Sequence, residues 1–305
     1  MISSREPRPR GFSKAIAKIA SRYSSIAPPG LLEAMQTQPA KAFRLTAKAT
    51  PDTAKALEAF GIEPVQWCQG AYTAKDLGVM KSVEHFTGQI YFQDLSSMMP
   101  PVLADLSGPV LDACAAPGSK TTQLSALMGN KGVVVANDID YRRIKALAFN
   151  VEKSGCMNVV VTNYDLTRAR FPPVFSSVLV DAPCSSEGII CRNPLVANSW
   201  SESKPRQASL LQKKLALRGF DLLAPGGTLV YSTCTFAPEE NEAVVDFLLG
   251  ERQASVEEVK EPMPAHTKGV LGWSGKEFNP EVSKCIRAWP QSGSIGFFAA
   301  KIKKT

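Results

Sequence analysis

Leu111-Asp-Ala-Cys-Ala-Ala-Pro-Gly118-Ser-Lys-Thr-Thr122 passes from an apolar run through small residues into helix formers, so it reads as a strand, a tight turn and a helix start. Backbone N–H groups at such a helix start point into a pocket. Two common phosphate loops are excluded. A Walker A loop needs Gly-x-x-x-x-Gly-Lys, but Cys114 and Ser119 stand at the glycine positions, and Gly-x-Gly-x-x-Gly is absent as well. A turn without the pyrophosphate glycines suits a nucleoside ligand.

Working outward, β-branched runs at 109–112, 132–137, 158–162, 177–180 and 227–231 are separated by helical stretches at 120–128, 141–153 and 206–223. Strands alternating with helices predict an α/β fold with a parallel sheet covered on both faces. Pro225-Gly226-Gly227 turns the last of these helices into its strand, and Pro238-Glu239-Glu240 opens another helix. Residues 287–301 read as a final antiparallel strand. Asp112, Asp138 and Asp165 fall at successive strand ends, where an acid can hold a ribose diol or an adenine amino group. Three carboxylates there make a pocket for a cationic, donor-rich nucleoside, a description that S-adenosylmethionine meets and NAD does not.

Two further strand ends carry thiols, in Asp181-Ala182-Pro183-Cys184 and Ser232-Thr233-Cys234-Thr235. Cysteines that fill a core lie inside apolar runs, whereas these lie just beyond them, among Asp, Pro, Ser and Thr. One sheet edge could therefore offer two thiols and a carboxylate. The seven cysteines contain no Cys-x-x-Cys, and only two histidines accompany them, so neither a disulfide framework nor a metal site is expected. Proton handling falls to carboxylates and thiols.

The chain has 305 residues, 44% of them apolar, enough for a sizeable core. No apolar run approaches the roughly 20 residues of a membrane span, and the start lacks a secretory signal, so a cytoplasmic protein with no membrane partner is expected, with a monomer as the default. The net charge of +7 is concentrated in residues 1–50, where nine Lys/Arg (5, 8, 10, 14, 18, 22, 41, 44 and 48) meet only Glu6 and Glu33. A cationic end on a neutral body implies a polyanion such as RNA. Within that end, Phe12, Ile16, Ile19, Tyr23 and Ile26 space an amphipathic helix over 12–26, and 42–45, 51–60 and 64–67 read as strand, helix and strand. Residues 1–95 are thus expected as a basic helix plus a small α+β domain, and 96–305 as a separate α/β domain.

The ordered set Asp112–Thr121, Asp138, Asp165, Asp181-Ala-Pro-Cys184 and Tyr231-Ser-Thr-Cys234-Thr-x-x-Pro238-Glu-Glu-Asn241-Glu resembles the RsmB/NSUN family of RNA cytosine-5 methyltransferases over roughly residues 42–301. The lead-in Tyr91-Phe-Gln-Asp-Leu-Ser-Ser-Met98 and the ending Gly296-Phe-Phe298-Ala-Ala-Lys301 are part of it. The resemblance implies a Rossmann-like class I methyltransferase domain that uses S-adenosylmethionine. It implies Cys234 as nucleophile and Cys184 as the thiol assisting product release. Lys120 and Asp181 would lie near the target base, and Cys114, Ala115, Ala116, Pro117, Gly118, Ser119 and Lys120 with Asp138, Arg143, Asp165 and Asp181 would hold the cofactor.

The chemistry fits those residue types. Cytosine carbon 5 is weakly nucleophilic until a thiolate adds to carbon 6 and a polar group steadies the ring edge. A flipped or unpaired cytosine is required, because carbon 6 is shielded in a stacked helix. Two departures stand out. Ser185-Ser186 replaces the family's common Ser-Gly, and Cys191 in Gly188-Ile-Ile-Cys-Arg-Asn-Pro194 has no assigned role and is expected to be structural. No PUA-type module is expected in a chain of this length, so target choice would rest on residues 1–95, with Arg44, Lys48, Tyr72 and Lys75 as candidate RNA contacts that each also read as ordinary surface or packing. The short form and the 187–194 stretch most resemble archaeal-type tRNA members, which favours tRNA over rRNA. A non-catalytic RNA-binding or ribosome-assembly factor and a DNA methyltransferase remain as alternatives.

Overall fold

The structure is a computed structural model that describes residues 10–168, 172–259 and 266–305, residues 10–13 as backbone alone. Arg5, Glu6, Arg8 and the chain start lie outside the described residues, as do the side chains of Arg10 and Phe12. Among the described residues no helix is long and apolar enough to cross a membrane.

The first helix, α1, spans Arg10–Arg22, and a short α2 spans Leu31–Ala34. Ile16, Ile19 and Tyr23 are buried as the spacing predicts, but against Ile190, Ala197, Phe236 and Trp289, so α1 docks beneath the thiol-bearing half. The next segment departs from the expected strand, helix and strand. Strands β1 (Lys41–Leu45), β2 (Ile62–Pro64), β3 (Ala71–Ala74) and β4 (Ile90–Phe92) form an antiparallel sheet in the order β2-β3-β1-β4. The helix read over 51–60 shrinks to α3 (Thr53–Ala56) and a 3-10 turn closed by Gly61 at φ 61°. The strand read over 64–67 ends at Pro64, because Val65 and Cys68 instead close the turn that leads to β3. Helix α4 is Val83–Thr87.

After α5 (Met99–Leu103), strand β5 (Val110–Asp112) leads through the small-residue turn into α6 (Ser119–Leu127). Then follow β6 (Val134–Asn137), α7 (Tyr141–Lys153), β7 (Val159–Thr162), β8 (Phe175–Asp181), α8 (Lys204–Asp221), β9 (Leu223–Thr233) and α9 (Glu242–Glu251). The remaining strands are β10 (Ala254–Glu257), β11 (His266–Lys268), the hairpin pair β12 (Gly272–Trp273) and β13 (Lys276–Glu277), β14 (Ile286–Ala288) and β15 (Phe297–Lys304). The large sheet runs β11-β14-β15-β9-β8-β5-β6-β7, with β10 also on β15. Strands β7, β6, β5, β8 and β9 are parallel, and β15 is antiparallel to β9.

Successive strand residues face opposite sides. Val110, Val134, Leu179 and Val230 pack under α5 and α6, and Leu111, Val178, Val180 and Leu229 pack under α8 and α9. Covered on both faces, these strands need the near-continuous apolar runs they have.

Two boundaries moved for local reasons. Helix α9 starts at Glu242 instead of Pro238, because Glu239 and Glu240 are taken up in tertiary contacts with Arg22, Ser185 and Gln212. The tail divides into β14 and β15 around a 3-10 turn at Pro290–Ser292, where proline cannot donate to a ladder.

Candidate active site

The parallel order reverses between β5 and β8, so the carboxyl ends of these two strands flank the crevice where open α/β sheets bind ligands. Gly118, at φ 109°, lets the chain turn sharply into α6. That turn places Lys120 on the first coil of α6, facing the end of β8. Its Nζ lies 2.6 Å from Asp181 Oδ2 and 3.1 Å from Ser97 Oγ, and over the Phe297 ring. Ser232 Oγ donates to Asp181 Oδ1 at 2.8 Å, which ties β9 to the same carboxylate.

Just beyond the two strands, three residues after β8 and one after β9, the thiols meet, Cys184 Sγ and Cys234 Sγ being 3.3 Å apart and both half-buried. The loops that carry them are laced together. Gly188 N–H donates to Cys234 O at 2.9 Å, and the Ser185 and Thr235 hydroxyls are 2.7 Å apart. Gly188 is required there, since a Cβ would sit 2.1 Å from Gly296 O and 2.8 Å from Cys234 O. Ser186 adopts φ 62° and ψ 26°, so the loop keeps the left-handed turn that glycine makes more easily.

The environment separates the thiols. Cys234 is held below the usual cysteine range, chiefly by the hydrogen bond from Cys184, then by the Ser186 hydroxyl and the Lys120 cation, against burial and Asp181. The Cys184 thiol is pushed well up by the same contact, by burial and by Glu240. The shared hydrogen bond thus favours the Cys234 thiolate and disfavours that of Cys184, and Cys234 is the one poised to ionise first. The lysine itself stays charged, because Asp181 outweighs the burial that would lower it.

A cleft of about 430 Å³ opens on the other side of Pro183, lined by Cys114, Asp138, Ile139, Arg143, Asp165 and Leu166 among others. Pro183 joins it to the thiol pair. Asp138 accepts from Ala116 N at 3.1 Å and Asp140 N at 3.0 Å and lies 3.4 Å from Arg143, while Asp165 accepts from Thr167 N at 3.0 Å. Arg143 also donates to Ala116 O, so it fastens the small-residue turn, whose Ala116–Pro117 peptide is cis. Each carboxylate has about four acceptor directions, so both retain capacity for a ligand. Carboxylates on one wall and apolar side chains on the other fit an adenosine with a charged tail.

Not every expected residue reaches the cleft. Asp112 is fully buried behind α6, where Thr121 donates to it at 2.7 Å, and burial pushes its carboxyl up to about 6. It fastens the turn instead of lining the pocket. Ala115 and Ala116 are buried in the turn, packed against Leu147 and Val151 of α7. Ile139 and Tyr164 were missed, although each is a large apolar side chain left more than half exposed beside a strand-end acid. Cys191 is buried against Leu179 and Val230, a structural place. Arg44, expected on RNA, is buried and donates to Gln93, Ser119 O and Thr122, so it cannot reach a phosphate. Lys75 is exposed but paired with Glu63 at 2.5 Å, Tyr72 stacks on Phe43, and Lys48 is exposed.

Residues 102–303 match the profile of the family described as 16S rRNA methyltransferase RsmB/F. The tRNA (cytosine(49)-C(5))-methyltransferase of Pyrococcus abyssi is 40% identical over 96% of this chain and 97% of its own length. Ribosomal RNA small subunit methyltransferase F of Cronobacter sakazakii is 37% identical over 80% of this chain, which spans only 52% of that relative. Among solved structures, a methyltransferase homolog protein from Pyrococcus horikoshii superposes with a TM-score of 0.83 at 29% identity, covering 97% of this chain and all of that one. NSun6 from the same organism shares the fold at a TM-score of 0.73 and 18% identity, over 97% of this chain and 98% of that one. With the profile covering most of its length and a relative of this identity along nearly all of it, the chain belongs to the RsmB/F methyltransferase family.

Proposed function

We propose that this enzyme methylates carbon 5 of a cytosine in tRNA through a covalent bond between Cys234 Sγ and carbon 6 of the ring. S-adenosylmethionine, held by the Cys114–Lys120 turn with Asp138, Arg143 and Asp165, supplies an electrophilic methyl group. The observation that carries the reading is the thiol pair 3.3 Å apart beside the Asp181–Lys120 ion pair at the same strand ends. A thiolate at Cys234 adds to carbon 6, and the ring electrons that the new bond displaces make carbon 5 nucleophilic. Asp181 offers an acceptor for the exocyclic amine, and Lys120 a donor for the negative charge that gathers on the ring. Once carbon 5 carries the methyl group, a water molecule takes the carbon-5 proton, the ring double bond reforms from that C–H pair, and Sγ leaves with the bonding pair. Cys184 is placed to assist that elimination.

The tRNA preference is supported by the relative matched along both whole chains, whereas the rRNA-directed relatives are matched over about half their length. In this reading residues 1–95 choose the RNA and 96–305 perform the transfer. A pure assembly factor would have no need of both thiols together with Asp181 and Lys120.

The test is transfer of label from S-adenosylmethionine to total RNA. Cys234→Ala is expected to transfer nothing, and Cys184→Ala to accumulate a covalent RNA adduct that survives denaturing electrophoresis. The reverse pattern would indicate DNA-type chemistry, and a wild type that transfers nothing would make the protein a binding factor. Bisulfite sequencing of RNA from cells with and without the gene then separates tRNA from rRNA.

A further inference from the structure

Glu187 lies three residues beyond Cys184 and is fully buried, yet among the described residues no lysine or arginine is bonded to it directly. Its carboxylate is held by three neutral donors. Tyr23 OH reaches both oxygens at 2.9 Å, Trp200 Nε1 donates to Oε1, and Thr235 Oγ1 donates to Oε2 at 2.8 Å. Thr235 directly follows Cys234, so this one carboxylate bonds the two thiol loops to each other. A buried charge of this kind is tolerable only while its donors stay in place.

Two contacts from α1 and the residue after it complete the arrangement. Arg22 Nη2 pairs with Glu239 Oε1 at 2.6 Å, in the segment that follows Cys234, and Arg22 Nε donates to Tyr23 OH at 3.2 Å. The Tyr23 ring is fully buried between Phe236 and Trp273, so its hydroxyl is aimed with little freedom. Lys18 is likewise paired on the protein, with Glu202 at 2.8 Å. Of the described cations of this helix, Arg22 is turned inward to the catalytic loops, whereas Lys14 and Lys18 stay exposed.

We propose that α1 is a brace for the thiol pair, with Tyr23 and Arg22 as positioning residues that hold the Cys184 and Cys234 loops at their working separation. The role rests on the covalent mechanism above, but the geometry can be read without it. Two thiols in contact form a disulfide readily when oxidised glutathione is added: one thiolate displaces glutathione, and the second sulfur displaces the other glutathione from the mixed disulfide.

Tyr23→Phe keeps the ring and removes the hydroxyl, and Arg22→Gln removes the ion pair with Glu239. Both are expected to lower kcat for methyl transfer to unfractionated tRNA by about tenfold, as small misplacements at a reacting centre do. KM for tRNA should stay within about twofold. Both should slow the formation of the Cys184–Cys234 disulfide in oxidised glutathione by roughly threefold or more. Ala17→Ser, an exposed and uncharged change on the same helix, should alter neither rate. Wild-type kcat and oxidation rates in both variants would overturn the brace, and so would a raised KM with kcat unchanged, which would make α1 an RNA contact. If the wild type transfers nothing to RNA while the oxidation rate still responds to Tyr23→Phe, the methylation reading falls and the brace stands.

Discussion

Lys120 shows how much a single side chain decides. It is almost fully buried, and against that burial the Asp181 carboxylate, with smaller help from Asp112 and the Cys234 sulfur, keeps a cation there. Its removal should therefore raise the pKa of Cys234, whose other neighbours are Cys184, Ser186 and the opposing Asp181. Since the thiolate is the species that reacts, lowering the pKa enlarges the reactive fraction at neutral pH and raising it shrinks that fraction. Lys120→Met is expected to slow iodoacetamide labelling of Cys234 at pH 7 and to move the midpoint of its pH profile upward, as followed by mass spectrometry of the Cys234 peptide. Both thiols and the strand-end acids were legible in the sequence, because position at the end of a parallel strand follows from the alternation of elements. The direction of each carboxylate was not legible. Asp112 is claimed by Thr121 nine residues on, whereas Asp138 and Asp165 face the cleft, and only the folded turn decides which.

At the level of elements, the thiol loops depend on close backbone approach. Gly188 N–H donates to Cys234 O and Gly296 N–H donates to Gly188 O, both at 2.9 Å, with no space for a methyl group between the two glycines. Gly188→Ala should destabilise the protein by about 1–3 kcal/mol, the usual range for overpacking, and splay the loops. A lowered thermal midpoint with methyl transfer largely lost is the expected result, and a variant that melts and reacts like the wild type would contradict it. The parallel strands were legible because their apolar runs are long and doubly buried. The small sheet was not. Strands β3 and β4 are three or four residues long, and they exist because β1 pairs with both, a contact between residues far apart in the chain. Helix α9 was placed too early because Glu239 and Glu240 look like a helix start, yet tertiary partners take them first.

Across the whole molecule, the small antiparallel sheet is fastened to the catalytic half by Arg44. This guanidinium spans from β1 to the first turn of α6, next to Lys120, and lies over the Tyr91 ring. Arg44→Ala would open a cavity and leave Gln93 and Ser119 O without their donor, a loss of about 3 kcal/mol or more. Calorimetry should show a midpoint several degrees lower, whereas Lys75→Ala, which breaks only an exposed pair with Glu63, should shift it little. In the sequence Arg44 fits either a phosphate contact or packing, since charge is visible there and burial is not, and the fold makes it packing. The junction has one more consequence. Asp94 accepts from Ile295 N–H, 201 residues further along, and Phe297 covers Lys120. A nascent chain that has not yet reached β15 leaves β9 with a bare edge beside two reactive sulfurs, so synthesis itself passes through a stage prone to aggregation and oxidation.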